Sequence, residues 1–310
     1  MPMTTTAAPG TNLVDSAVAG KVALLMLADR GSLRGHPALV DLTQVIGGGF
    51  GKAGGGSLTG SVGILGLDGS SVMTDAAEGY GVAETSIDSA KATVTIGKKA
   101  LKHAVSDELA SIDPTGSMNA TRLGQNMVGA YNGTFVEEVA GLATGFSRDA
   151  GTSGSPFDHD MFLAAQALLT EEHVPGPYLA VLDSHHYAEW VTDLESRTGV
   201  TQWRPATAEQ QVLRGENYKG NYNGVDIFIT SRAPTSGSDA VSMMFGRGAI
   251  GYAEQELVPQ PGTVVLVSAG PLLVEARRND NGTTSVIGWA MLGVIEVEDL
   301  RGCKITALGA

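Results

Sequence analysis

The stretch Ser117–Gly145, SMNATRLGQNMVGAYNGTFVEEVAGLATG, constrains the fold more than any other part of the chain. Leu123, Met127, Tyr131, Phe135, Val139 and Leu142 recur at steps of three or four, the spacing that lines one face of an α-helix. Ser117 or Asn119 can cap its start, after an Asp113-Pro114-Thr115-Gly116 turn that cannot itself be helical. Its other faces are unusual. Arg122, Glu137 and Glu138 are the only charges between Ser117 and Leu142, and Gly124, Gly129, Gly133 and Gly141 lie in its interior. Each interior glycine costs about 1 kcal/mol relative to alanine, so this helix is weak alone and needs close packing on more than one side. Two arrangements meet that need: a central helix crossing its own sheet, or a long spine whose other faces meet neighbouring copies of the chain.

At 310 residues the chain can bury one large core or two modest ones. Charged residues make up 17%, against roughly 25% in an ordinary soluble domain. The deficit is filled by Gly (42 residues), Ala, Ser and Thr, not by an apolar run. No uninterrupted apolar stretch reaches the ~18 residues of a transmembrane helix, so no membrane span is expected. The opening MPMTTTAAPGTN has neither the basic nor the apolar region of a signal peptide. A net charge of -13 argues against gripping nucleic acid by its phosphates, which takes a basic stripe. The single cysteine, Cys303, excludes a disulfide framework and a four-cysteine zinc site, and fits a reducing cytoplasm.

Residues 1–60 read as an extended arm, with short apolar pieces at Val14–Leu27 and Leu39–Ile46 and a flexible GGGFGKAGGG run. The formal GxGxxG from Gly49 to Gly54 is followed by GGSLTGSVG, which cannot open a helix, so it is not a dinucleotide loop. Residues 61–106 read as a long β-hairpin: Ser61–Leu67 goes out, Ala92–Ser106 returns, and between them lie Asp68, Asp75, Glu78, Glu84 and Asp88 with almost no large apolar residue. Such a core-less excursion makes sense as a limb that leaves its own domain and lies on another. Lys98, Lys99 and Lys102 give the return strand a basic patch opposite in sign to the tip.

After the long helix the texture changes. Ser155-Pro156-Phe157-Asp158 reads as a helix start with Ser155 as N-cap, and Ser184 as the cap of a second helix bearing Tyr187, Trp190, Val191 and Leu194 on one face. Tyr178–Asp183, Val225–Thr230, Val241–Phe245 and Ala249–Ala253 read as strands, and Asn223-Gly224 as a tight hairpin turn. This alternation marks an α/β module with its own core. From Gly262 the chain is nearly all strand, folded back at Asn279-Asp280-Asn281-Gly282. The module is therefore inserted into a helix-plus-sheet domain.

Catalytic clusters are thin. Asp158-His159-Asp160, Glu171-Glu172-His173 and His185-His186 with Glu189 are where ligand-type residues crowd, and none has the spacing of HExxH or of an open zinc site. Each has a local explanation: Asp158 as a helix cap, His173 at the favourable end of a helix dipole, and His185-His186 as exposed first-turn residues. No GxSxG elbow occurs, and Cys303 reads as a small core residue. No catalytic residue, metal or cofactor is assigned.

The order of parts resembles the major capsid proteins of tailed double-stranded DNA bacteriophages, which have the Hong Kong 97-type fold. Val94–Leu109, VTIGKKALKHAVSDEL, is similar to the family's exit from its extended loop. Met243–Glu256 and the closing EARRNDNGTTSVIGWAMLGVIEVEDLRGCKI are similar to its late module and final hairpin. The resemblance implies an α+β fold with an N-terminal arm (1–60), an extended β-hairpin loop or E-loop (61–106), a peripheral domain with spine helix and β-hairpin (107–150 and 262–310), and an inserted α/β axial domain (151–261). It further implies self-assembly into hexamers and pentamers of an icosahedral head that encloses double-stranded DNA. Portal, separate scaffolding and cement proteins would be partners, and the site would be the virion, assembled in host cytoplasm. Contact candidates between subunits are then Asp75, Glu78, Glu84, Lys91, Lys98, Lys99, Lys102, Glu137, Glu138, Arg277, Arg278 and Asp280. Some members cross-link a loop lysine to an asparagine through a glutamate. Lys91, Asn279 or Asn281, and Glu275 are the residues here for those roles, but nothing at these positions is distinctive. Two rivals remain: an encapsulin-like compartment shell, and a soluble α/β metal-dependent enzyme using His185, His186 and Glu189.

Overall fold

The computed structural model describes residues 33–43, 51–52, 58–65, 89–106, 117–197, 203–214, 217–257, 264–269, 272–278 and 283–309. The Val14–Leu27 piece, the Asp113–Gly116 turn, the tip acids Asp68, Asp75, Glu78, Glu84 and Asp88, and Asn279, Asp280 and Asn281 lie outside the described residues. In chain order β1 (Leu39–Asp41), β2 (Gly51–Lys52), β3 (Leu58–Leu65) and β4 (Ser89–Ser106) come first. The long helix α1 (Ser117–Gly141) follows and tightens into a 3-10 turn at Leu142–Gly145. Then come α2 (His159–Glu171), β5 (Tyr178–Asp183), α3 (Ser184–Ser196), β6 (Arg204–Pro205), α4 (Ala208–Arg214), β7 (Tyr218–Tyr222) and β8 (Val225–Thr230). The chain closes with β9 (Thr235–Ser236), β10 (Asp239–Phe245), β11 (Ile250–Glu254), β12 (Val264–Ala269), β13 (Leu272–Arg278), β14 (Thr283–Glu296) and β15 (Gly302–Leu308).

The strands make two sheets. The first runs β1-β11-β14-β4-β3-β2, with β13 and then β12 branching from β14. Its organising member is β14, which lies between β13 and β4 over its first part and pairs with β11 over its last. The second runs β15-β10-β5-β8-β7-β6, with β9 on β10. The expected hairpins form. β3 and β4 pair antiparallel from Leu58↔Ile96 to Leu65↔Ser89, and β13 pairs with β14 across residues 279–282. Asn223 (φ 49°) and Gly224 (φ 82°) turn β7 into β8 through two successive left-handed residues, the geometry that matches strand twist.

The second sheet is buried on both faces, which is why Leu179–Leu182 is an unbroken apolar run and every position of β10 is buried. Leu179, Val181, Val241, Met243 and Phe245 point to one face, where Phe135, Val136, Val139 and Ala140 of α1 meet them. Ala180, Leu182, Met244 and Ile227 point to the other, covered by Phe157, Phe162, Leu169 and Trp190 from α2, α3 and the segment before α2. The spine helix is thus wedged between the two sheets: Met127 Sδ rests on Gly288 of β14, and Phe135 fills the joint. Burying Phe135, Val136 and Val139 contributes roughly 2 kcal/mol each, which together exceeds the ~1 kcal/mol per glycine that the helix loses.

Several expectations need correction. Residues 33–43, assigned to the arm, are built into the chain's own body: Leu33, Ala38, Leu39 and Leu42 are buried, and β1 pairs in parallel with β11 from Leu39↔Ile250 to Asp41↔Tyr252. Four apolar side chains in ten residues have more to gain in the core than in solvent. The sheets also cross the expected domain limits. β11, within 151–261, belongs to the first sheet, and β15, within 262–310, belongs to the second. Helix α2 starts at His159 with Asp158 as N-cap, its carboxylate accepting from Met161 N at 2.8 Å. Ser155 cannot cap because its carbonyl accepts from Leu308 N, and Phe157 N donates to Glu189. For α3 the cap is Asp183, not Ser184: the Asp183 carboxylate accepts from His185 N at 2.8 Å.

Candidate assembly surface

The outward face of α1 carries Asn126, Gly129, Glu137 and Gly141, all exposed. A Cβ added at Gly129 or Gly141 meets nothing within 4 Å among the described residues. Packing among the described residues therefore does not demand glycine at either position. Gly133, between them, lies under the guanidinium of Arg232, which also pairs with Glu137 at 2.6 Å.

Strand alternation splits the expected basic patch. Lys99 turns toward α1 and pairs with Glu138, while Lys98 lies on the opposite face with its Nζ 3.9 Å from the Trp289 ring centre. Lys102, further along the same strand, is exposed. Three candidates for contacts between subunits, Lys99, Glu137 and Glu138, thus already have partners within the chain. These exposed pairs are worth at most about 1 kcal/mol each, so they steer more than they hold. Lys91, Arg277 and Arg278 lie in β4 and β13, with side chains outside the described residues, and Asp75, Glu78, Glu84 and Asp280 lie outside them altogether.

A buried polar clasp that periodicity alone did not reveal joins three elements. The Tyr131 hydroxyl of α1 donates to Glu254 of β11, Arg34 pairs with the same carboxylate, and Glu254 N donates to Thr43 Oγ1 at 3.0 Å. Burial holds the Glu254 carboxyl above the ordinary range, opposed by its Tyr131 and Arg34 partners. The Tyr131 phenol is pushed up by burial and by the neighbouring carboxylate. A second tie lies nearby: His36 Nε2 meets Asp226 of β8 at 3.0 Å, and its ring stands edge-on to Phe228. Residues 33–43 therefore strap the first sheet, the second sheet and α1 together.

The histidines expected as an exposed pair are separated. His185 stays near the surface, 3.3 Å from Glu189. His186 is fully buried, stacked on Phe157. Ala307 O can only accept, so His186 Nε2–H donates to it at 3.3 Å, and the Ser242 hydroxyl donates to Nδ1 at 2.7 Å while accepting from Asp183 N. The signal was its spacing: His186 lies one turn before Trp190 and so shares its inward face. His185, His186 and Glu189 therefore do not converge on one substrate. In the groove beside them, lined by Asp158, Glu189 and Asp193 and about 470 Å³ in volume, each of those acids accepts from a backbone N–H of residues 157–161. No group of three His, Cys, Asp or Glu among the described residues could hold a metal ion.

His159 and His186 are both held below the ordinary histidine range, in each case chiefly by burial. The unfolded chain then takes up protons that the folded chain refuses, so the contribution of these two histidines to stability rises with pH and falls as pH drops below about 6.5. Between about pH 7.5 and about pH 5.5 the thermal midpoint of the parent is expected to fall relative to that of His186→Asn by a few degrees. An equal change in parent and variant over that range in calorimetry would contradict this.

Neither a protein family model nor any curated protein sequence matches the chain. Comparison with solved structures gives a different result. The capsid of Ralstonia phage GP4 superposes with a TM-score of 0.54 at 11% identity, covering 91% of this chain and 92% of that one. The chain has the Hong Kong 97-type capsid fold. The capsid of cyanophage P-SCSP1u shares this fold with a TM-score of 0.52 at 15% identity, over 81% and 84% of the two chains. The holo-SrpI encapsulin complex from Synechococcus elongatus shares it with a TM-score of 0.51 at 12% identity, over 71% and 77%. No helix among the described residues is long and apolar enough to cross a membrane.

Proposed function

We propose that this chain is the major capsid protein of a tailed double-stranded DNA bacteriophage, assembling with itself into the hexamers and pentamers of an icosahedral head. The observation that carries the reading beyond fold is the exposed glycine face of α1. Gly129 weakens the helix, and a Cβ added at Gly129 or Gly141 would meet nothing among the described residues, whereas close approach of another copy would use both. In this reading residues 1–32 form the arm and 61–106 the loop that lies over a neighbour, with the first sheet and α1 peripheral and the second sheet axial. The acidic tip of one copy would seek Lys98 and Lys102 of the next, an attraction that salt screens. Net charge of -13 suits a lining that encloses DNA without binding its sequence. Portal, separate scaffolding and cement proteins complete the partner set.

A compartment shell of the encapsulin kind is the second reading, favoured by the likeness to the Synechococcus protein. Size-exclusion chromatography with negative-stain imaging tests both. Hexamers or megadalton particles support a shell, and tailed, DNA-filled particles in infected cells select the phage reading. A monodisperse single subunit at high concentration would sink both.

Gly129→Ala gives a sharper result. Alanine is expected to raise the unfolding free energy of the dissociated subunit by about 1 kcal/mol, because none of the described residues is displaced. The same methyl is expected to lower the yield of assembled material. Denaturant melts of the subunit and sedimentation of the assembled fraction measure the two effects separately, and unchanged assembly would remove the glycine face from the interface.

A further inference from the structure

We propose that strand β15 is a closing lock: until residues 302–308 are seated the second sheet keeps an open edge, and a subunit in that state does not enter the ordered assembly. The inference rests on the assembly reading above.

β15 is an interior strand in everything but name. Along one edge it pairs with β10 from Asp239↔Leu308 to Phe245↔Gly302. Along the other it is held by the segment before α2. Lys304 N donates to Arg148 O at 2.9 Å, Ala150 N to Lys304 O at 3.0 Å, and Leu308 N to Ser155 O at 2.8 Å. The Asp149 carboxylate accepts from both Thr306 N and Thr306 Oγ1, at 3.1 and 2.6 Å. Cys303, Ile305 and Ala307 are wholly buried in the layer under α2 and α3. The His186 ring is tied to Ala307 O, and Gly302 lies so close to the Phe146 ring that a Cβ there would overlap it.

Every other strand of the second sheet lies between Tyr178 and Phe245, while β15 arrives only after β11, β12, β13 and β14. Until then β10 has one open edge, and the slot beside it exposes Phe157, Phe162 and Trp190. An open edge beside an apolar slot is where a strand from another copy would pair wrongly. A subunit that joined others in that state would carry the error into the assembly. A lock supplied by β15 confines ordered assembly to chains whose second sheet is closed.

The chain contains its own reporter, since Cys303 is its single cysteine and sits in the locking strand. When β15 is seated, burial pushes the thiol up to about 12. Released, it returns to an ordinary thiol, and its alkylation speeds up by roughly a thousandfold. Full-length chain is diluted from denaturant into assembly buffer and pulsed with a maleimide at successive times. Assembled and free fractions are separated by sedimentation, and label at Cys303 is read by mass spectrometry. The expected result is that assembled material carries no label at any pulse time, with protection of the free subunit complete before assembly begins. Label in assembled material at the proportion found in the free pool overturns the lock and leaves the assembly reading standing. If protected chain never assembles, both readings fall together. Gly151→Val provides a second measurement, because its Cβ would overlap the backbone of Thr306. The variant is expected to keep Cys303 reactive and to stay in the free fraction, and its entry into assembled material with a reactive thiol counts equally against the lock.

Discussion

Gly293→Ala is expected to destabilise the subunit by about 3 kcal/mol or more. A Cβ at position 293 would overlap the carbonyl oxygen of Thr95 and crowd the Cα of Ile96, both backbone atoms of β4. Neither can rotate away as a side chain would. Nor can β4 retreat, because Thr95 is paired with Thr59 on β3 and Gly97 with Leu292 on β14. The methyl therefore pushes apart the strands where the loop hairpin joins the body. Equilibrium denaturation measures the loss, and Gly129→Ala is the matched control with the opposite sign. A Gly293→Ala subunit as stable as the parent would mean that β4 and β14 are not in this register.

Glu254→Ala is expected to cost about 3 kcal/mol. It strands the buried Tyr131 hydroxyl, leaves Arg34 without its carboxylate and opens a cavity at the meeting point of α1, β11 and the strap. Glu254→Gln keeps an acceptor for Tyr131 and removes a charge that burial already disfavours, so its loss is smaller. The reciprocal variant, Arg34→Met, has a pH signature. With a folded pKa already above the unfolded one, Glu254 contributes stability that is full below the ordinary glutamate range and is lost as pH rises through the folded value. Removing the guanidinium raises the folded value further, so Arg34→Met is more damaging at about pH 8 than at about pH 5. Equal losses at both values, measured by urea titration, would show that Glu254 does not sit charged beside Arg34.

The parts legible in the sequence were those whose signals are local. The stripe from Met127 to Val139 identified α1, and Asn223-Gly224 identified its hairpin, because helix and turn geometry are decided within a few residues. The strap was missed because four apolar residues between Leu33 and Leu42 carry no period, and their partners lie some two hundred positions away. For the same reason Gly302–Leu308 was assigned to the sheet next to it in sequence, when its partner is β10. His186 and Lys99 are different. Their spacing did carry the answer, through the helical step to Trp190 and the two-residue alternation of β4, but their polar character pointed outward. At the candidate surface, glycine content in α1 pointed to Gly129 and Gly141, where an added Cβ meets nothing among the described residues, whereas charge alone could not show that Glu137 and Glu138 are already paired within the chain.

One continuous strand, β4, carries the hairpin with β3 at its start and lies along β14 at its end, from Gly97↔Leu292 to Ser106↔Thr283. A pull on the hairpin therefore reaches the body parallel to the strands and across hydrogen bonds that run perpendicular to them. Those bonds are strained side by side instead of parting in turn. A load on the hairpin is then held by the full length of the ladder, and in the proposed assembly this limb would be stretched along its strongest direction.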